Sequence, residues 1–452
     1  MIKLPANSVL QNSLLSSRWV IPVEPAGTVL EDHCVALRGG VVEAVLPRAA
    51  AEARFSSYEK VNLGEHVLIP GLVNAHTHAA MSLMRGLADD LPPLRWLEER
   101  IRPAEARLVS PQFVKDGTLL ACAEMLRGGV TCFNDMYFFP EAALEAALEA
   151  RMRVSLGMIV FDFPSAYASD PDDYLAKGLA LRDRWREHPL VSFCVAPYAP
   201  YTVSDDTLRK IAKLVGEIEV PVHVHLHETE DEIARSLSEH GVRPVERLQR
   251  LGLLGPGLIA VHAVHLTEAE IALLAEHGAS VAHCPSSNLK LASGFAPVAK
   301  MAAAGINLAI GTDGAASNNR LDMFEEMRLT ALLAKAVAGD AEAMPAHAAL
   351  RAATLGGAAA LGLEARIGSI APGKAADLVA VRLAGPELSP CHDPVSQLVY
   401  AAGRQHVSDV WVAGRRLLRA GTFPDLDHES PFRDLDTRSK LWQNTLRIHT
   451  EP

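Results

Sequence analysis

Eight apolar runs separated by helix-period stretches constrain this chain more tightly than any other feature. The runs are Val67–Ala75, Val130–Met136, Val154–Phe161, Val191–Ala196, Val220–Leu226, Leu258–Ala263, Ala279–Cys284 and Ile306–Thr312. Between them, Glu141–Arg151, Asp172–Glu187, Asp205–Glu217, Thr229–His240 and Thr267–His277 repeat apolar residues at 3.6 spacing. A strand covered by helices on its outer side is buried on both faces and reads as continuous Val, Ile and Leu. Eight such strands in alternation with helices predict an α/β fold, a (β/α)8 TIM-type barrel over residues 70–369. Before it, Ser17–Val23, Cys34–Arg38 and Val41–Leu46 read as short strands broken by turn residues. After Gly368, Ala376–Val381 and Val407–Ala413 read the same way. Residues 1–69 and 370–452 are therefore expected to form one small β-sandwich built from both ends of the chain. The polar stretch Asp425–Pro452 is assigned no structure.

The 452 residues are 49% hydrophobic and 21% charged, a globular balance. The formal net charge is −11 and no Lys/Arg cluster interrupts it, which argues against a nucleic-acid partner. No window approaches 18 uninterrupted apolar residues, so no membrane span is expected, and Met1–Pro22 lacks the apolar stretch of a secretory leader. The six cysteines form no CxxC pair, which suits a reducing cytoplasmic setting.

The residues with chemistry fall at the ends of the expected strands. Asn74-Ala75-His76-Thr77-His78 closes the first, and residues two apart on a strand point the same way, so both imidazoles face one point. The fifth strand carries His223, His225 and His227. One site cannot take all three, and hydrogen-bonded structural roles are expected for His223 and His227, leaving His225 at the rim with Glu228 three residues on. The sixth strand ends in His262 and the eighth in Thr312-Asp313-Gly314. An Asp-Gly pair is often only a turn. Here, however, all five groups share the C-terminal face on which barrel enzymes build their sites. Three histidines and an aspartate suit zinc with a position left open for water, whose pKa the ion lowers from about 15.7 towards 7. The fourth strand, Ser192–Tyr198, has no lysine to bridge a second ion, so a single divalent metal is expected. Zinc leads, with Fe2+ or Mn2+ as alternatives.

These stretches resemble the amidohydrolase superfamily, and within it the 5-methylthioadenosine/S-adenosylhomocysteine deaminase branch with its triazine hydrolase relatives. The likeness runs through Pro70–His78, Arg85–Asp90, His225–Thr229, His283–Leu291, Gly311–Gly314 and Gly373–Leu378. It implies His76, His78, His225 and Asp313 as metal ligands. It also implies Glu228 as the proton shuttle and His262, with Asp313, as the group that orients and deprotonates the nucleophile. Glu105 would hold the ribose hydroxyls, and His283 would line the substrate pocket. The implied reaction is hydrolytic deamination of an adenine nucleoside, with 5′-methylthioadenosine ahead of S-adenosylhomocysteine and adenosine. The alternative is an aminohydrolase or chlorohydrolase acting on guanine, a pyrimidine or a triazine. Similar enzymes are often homo-oligomers. A barrel that serves only as a scaffold would have no need of the full ligand set.

Two departures stand out. The branch commonly reads Pro-His-Ala-Pro-Tyr after strand four, where this chain has Pro197-Tyr198-Ala199-Pro200-Tyr201. Tyr198 can still donate a hydrogen bond to substrate but does not titrate near neutrality. After strand three, Asp162–Tyr167 offers no arginine for an amino-acid carboxylate, which favours the uncharged methylthio nucleoside. Met81, Met84, Leu87 and Trp96 are candidates to receive the methylthio group.

Overall fold

The computed structural model describes residues 11–92, 95–424 and 430–450, and side chains as far as residue 447. Eight parallel strands follow one another around a barrel in chain order: β6 (Leu72–Thr77), β7 (Val130–Asp135), β8 (Arg153–Val160), β9 (Val191–Pro197), β10 (Val222–Leu226), β11 (Leu258–His262), β12 (Ser280–His283) and β13 (Asn307–Ile310). Almost every residue of these strands is buried. In β11 the alternation is visible, with Leu258 and Ala260 in one apolar cluster and Ile259 and Val261 in another. Both faces are apolar, which is why the runs read as continuous.

The ring closes between β13 and β6 by a different device. Past the end of β13, the Asp313 N–H donates to the His76 carbonyl at 3.0 Å. The Thr312 N–H donates to Asn74 Oδ1 at 3.0 Å, and Asn74 Nδ2 donates to Thr312 Oγ1 at 2.7 Å. A side-chain amide thus replaces a ladder of backbone bonds at the seam, beside the His76–His78 motif.

The two ends of the chain form one further sheet. It holds β1 (Ser13–Val20), β2 (Leu30–Glu31), β3 (His33–Arg38), β4 (Val41–Pro47), β5 (Glu59–Pro70), β14 (Leu378–Arg382), β15 (Val407–Val412) and β16 (Arg415–Leu418). Their order is β16-β15-β14-β5-β1-β3-β4, with β2 beside β1. The sheet curls until Val42 N–H meets the Lys374 carbonyl at 2.9 Å. It encloses Leu15, Val35, Leu68, Leu378 and Trp411 in its own core. Arg153 at the start of β8 reaches Asp377 just before β14 with two bonds of 2.8 and 3.2 Å, and both side chains are almost fully buried.

Two expectations need correction. The run Val67–Ala75 is not one strand. Val67–Pro70 ends β5 in the terminal sheet, and Leu72–Thr77 is the first barrel strand. Gly71 is the joint: its N–H donates to the Asp377 carbonyl at 2.8 Å, and a Cβ there would lie 1.9 Å from Thr131 Oγ1. The residues on either side of the joint, Val67–Pro70 and Leu72–Val73, are all apolar, so hydrophobicity alone cannot show the break. The tail, left without structure above, contains the helix Leu435–Thr450. It packs on the helix Pro111–Arg127, where Asp116 accepts from Arg438 at 3.1 Å and from Trp442 Nε1 at 3.0 Å. Residues 425–429 and 451–452 of the tail lie outside the described residues.

Candidate active site

The C-terminal ends of β6, β10 and the segment after β13 bring His76, His78, His225 and Asp313 together. One ligand atom from each lies within 4.8 Å of all the others, and all four residues are buried. His76 Nε2 is 3.1 Å and His78 Nε2 3.3 Å from Asp313 Oδ1. The outer ring nitrogens are already engaged. His78 Nδ1 donates to the Met136 carbonyl at 2.5 Å and His225 Nδ1 to the Tyr198 carbonyl at 2.6 Å. A carbonyl only accepts, so both rings carry a proton on Nδ1 and turn Nε2 inward, the orientation that metal-ligating imidazoles adopt. His76 is held through Nδ1 by His223 Nε2 at 3.0 Å.

Protonation agrees with this geometry. Burial pushes His76 down to about 4 and His225 well below its ordinary value, so both are neutral. For Asp313 burial acts upward, but the hydrogen bond to His76 and the neighbouring rings outweigh it and hold the carboxyl well below the usual range. Its second oxygen, Oδ2, accepts from Ser287 Oγ at 2.7 Å and Ser317 Oγ at 2.6 Å, which leaves Oδ1 to face the histidines. Three imidazole nitrogens and one anionic oxygen are a donor set that fits a divalent metal of the zinc type.

His262 ends β11 with φ at +70°, and Ala263 follows at +49°. Left-handed backbone at non-glycine residues is costly and clusters at functional sites. His262 Nδ1 donates to Asn288 Oδ1 at 2.8 Å, which turns Nε2 towards Glu228 Oε1, 3.9 Å away. Burial acts to lower the His262 pKa, but the carboxylates of Glu228 and Asp313 raise it overall. Burial raises Glu228, with His262 opposing.

A cavity of about 310 Å³ opens from His78, and its lining includes Met81, Glu105, Tyr137, Phe161 and Tyr198. Glu105 comes from the helix Arg102–Leu108 and accepts from the Tyr137 hydroxyl at 2.7 Å. Burial lifts its carboxyl to about 7 despite that bond. The Tyr198 ring lies tilted against those of His225, at 4.5 Å, and Phe161, at 5.2 Å, and burial raises its hydroxyl pKa well above the ordinary value. Of the apolar candidates, Met81 lines this cavity, whereas Met84 and Trp96 sit in the core. Arg102 also reaches the cavity wall, from a helix rather than from the loop after strand three.

The remaining histidines are placed apart. His283 lines a second, smaller cavity with Pro285, Asn288 and Phe295, because its side chain falls against the following helix Pro285–Lys290. His227 is buried in a loop network. It receives the Val245 N–H at 3.2 Å, and its Nδ1 lies 3.2 Å from the His265 carbonyl. Sequence reasoning did not single out Tyr137, Ser287, Asn288 or Ser317. Ser287 and Asn288 lie inside the matched stretch His283–Leu291, but nothing in their spacing shows whose side chain they hold.

Residues 67–417 match the model of the Amidohydrolase family. The 5-methylthioadenosine/S-adenosylhomocysteine deaminase of Teredinibacter turnerae is 45% identical over 432 residues, covering 96% of this chain and 97% of that protein. The crystal structure of an adenosine deaminase from Xanthomonas campestris with bound zinc superposes with a TM-score of 0.93. It is 50% identical, covering 97% of this chain and 99% of that one. The zinc complex of an atrazine chlorohydrolase from Arthrobacter aurescens shares the fold, with a TM-score of 0.88 at 23% identity over 95% of this chain and 99% of that one.

Proposed function

We propose a specific reaction for a chain that belongs to the amidohydrolase family: hydrolytic removal of the 6-amino group of an adenine nucleoside, with 5′-methylthioadenosine the preferred substrate. It is a metal-dependent hydrolase of C–N bonds, and deamination of an adenine nucleoside to its inosine analogue plus ammonia is its activity. One observation carries the assignment: the three-histidine, one-aspartate cluster opens directly onto a cavity whose wall bears the carboxylate of Glu105.

His76, His78, His225 and Asp313 would hold one zinc ion. When bound there, it lowers the pKa of water towards neutrality and so supplies a nucleophile at physiological pH. The protein's own groups do the rest. Glu105 accepts the two ribose hydroxyls and sets the purine's distance from the histidines. Glu228, favoured in its protonated form by burial, delivers a proton to N1 as C6 is attacked. His262, with its Nδ1–H fixed by Asn288, presents Nε2 to the nucleophile and orients it; Asp313 receives the nucleophile's proton and passes it to the 6-amino nitrogen, which departs as ammonia as the C6–N bond breaks. Tyr198, in the lining of the same cavity, donates to the purine. The apolar lining around Met81, Phe138 and Phe161 supports a methylthio group, and Arg102 is the cation a homocysteine carboxylate would meet on the same wall.

A cytoplasmic homo-oligomer belongs to the same proposal. Six free thiols, five of them buried, support a reducing compartment. No helix among the described residues is long and apolar enough to cross a membrane.

The test is ultraviolet-monitored deamination of 5′-methylthioadenosine, S-adenosylhomocysteine, adenosine, guanine and cytosine by the zinc-loaded enzyme. Glu228→Gln serves as the control. The methylthio nucleoside should turn over fastest, and the variant should lose roughly 10²–10⁴-fold in kcat with its metal retained. Turnover of the free bases alone would overturn the nucleoside reading.

A further inference from the structure

The corner that carries Glu228 is held from below by a second carboxylate. After β10 the chain turns through His227 with φ at +55°, a left-handed conformation that is unfavourable for an L-residue and must be held by its surroundings. Glu232 lies on the helix Glu230–His240 that follows, and its side chain is buried. Its Oε1 accepts the His227 N–H at 3.0 Å and its Oε2 the Glu228 N–H at 2.9 Å. Thr229 caps this helix, its hydroxyl accepting from the Glu232 N–H at 3.2 Å. In an ordinary capping box the acidic side chain at this position returns to the cap residue's own N–H. Another helix of this protein does so: Glu270 Oε2 accepts the Thr267 N–H at 2.8 Å. Glu232 reaches past the cap to the two residues before it. The arrangement is also expensive, because burial raises the proton affinity of the Glu232 carboxyl and the neighbouring Glu228 carboxylate adds to it. A helix cap alone does not require that.

We propose that Glu232 is a positioning residue for proton transfer: by bridging the two consecutive N–H groups of His227 and Glu228, it fixes the backbone from which the Glu228 carboxyl is aimed at the substrate. The inference rests on the role assigned to Glu228 above. It needs no contact between Glu232 and the substrate. His227 secures the far side of the same corner through Val245 and His265. Loss of the bridge therefore loosens the aim of Glu228 without unfolding the loop. A misplacement on the order of 1 Å at a reacting group costs about 100-fold in rate.

The experiment is a double-mutant cycle in the zinc-loaded, full-length enzyme with Glu228→Gln, Glu232→Gln and the pair. Glu232→Gln is isosteric and keeps one acceptor oxygen, and Glu232→Asp serves as a partial rescue. Glu232→Gln should lower kcat on the adenine nucleoside by about 100-fold, with KM and metal content close to wild type. Glu232→Asp should fall between the two. The pair should be no slower than Glu228→Gln alone, because Glu232 acts only through Glu228. Hydrogen exchange in the peptide covering His225–Glu232 should speed up in Glu232→Gln and nowhere else. Additive losses in the pair, or a fall in melting temperature with kcat unchanged, would overturn the inference and leave Glu232 a helix cap. Wild-type kcat in Glu228→Gln would instead overturn the underlying assignment of Glu228, so the two failures are distinguishable.

Discussion

Removing the Glu105 carboxylate should cost most of the enzyme's preference for nucleosides over free bases, and the size of the effect follows from the site. The side chain lies on the wall of the 310 Å³ cavity, and one of its lone pairs is taken by the Tyr137 hydroxyl at 2.7 Å. A carboxylate offers about four acceptor positions, which leaves room for both ribose hydroxyls. Hydrogen bonds to a charged group contribute about 1.5–3 kcal/mol each, so losing two costs about 3–6 kcal/mol. That is roughly 10²–10⁴-fold in kcat/KM on a nucleoside. pH gives an independent check. Burial raises Glu105 to about 7, so its ionised, doubly accepting form is present above that pH and is lost as pH falls through it. On the acid side kcat/KM should drop about tenfold per unit. In Glu105→Gln, which has no such titration, this limb should vanish, and in both Gln and Ala variants turnover of free adenine should stay at the wild-type level. The assay is initial-rate spectrophotometry from pH 5.5 to 9 on nucleoside and base in parallel. A Glu105→Ala enzyme within about threefold of wild type on the nucleoside, or an unchanged acid limb in Glu105→Gln, would refute the reasoning.

Stripping the metal with a chelator should abolish deamination and lower the melting temperature, because a cation held only by the folded site contributes about 4 kcal/mol at a thousandfold excess over Kd. Zinc should restore both, and persistence of full activity after verified metal removal would dismiss the metal site. Arg153→Met strands Asp377, whose side chain is 1% exposed, without its partner. Breaking a buried pair in this way costs about 3–5 kcal/mol, to be read from urea unfolding. Gly71→Ala forces a Cβ to within 1.9 Å of Thr131 Oγ1 and should destabilise by at least the roughly 1–3 kcal/mol of an overpacked core. Gly216→Ala, on the helix Asp205–Ile218 with open space around it, should instead stabilise by up to about 1 kcal/mol. Calorimetry on the two alanine variants separates steric from conformational effects.

The barrel was legible because burial on both strand faces leaves a one-dimensional trace, a continuous apolar run, and helices leave another, the 3.6 period. The same signal hid the joint at Gly71. The end of one strand and the start of the next are both apolar although they lie in different sheets, and the break shows only in the tertiary contacts of Gly71 with Thr131 and Asp377. Trp442 and Arg438 gave no cue either, because their partners Asp116 and, for Trp442, Phe113 lie more than 300 residues earlier in the chain.

At the candidate site the division follows sequence distance. The His76-x-His78 spacing and the position of each acid and imidazole at a strand end are local properties, and the chain alone determined them. Which ring nitrogen faces inward was settled by the carbonyls of Met136 and Tyr198. The Asp313 oxygen left free was settled by Ser287 and Ser317, and the aim of Glu228 by Glu232. Most of these partners come from other strands and loops. Met136, Tyr198 and Ser287 meet their partners only when the barrel closes, whereas Ser317 and Glu232 lie four residues from the groups they hold and depend on how the local turn is folded. Sequence determined which chemical groups meet at the rim; the tertiary structure decided how each is turned.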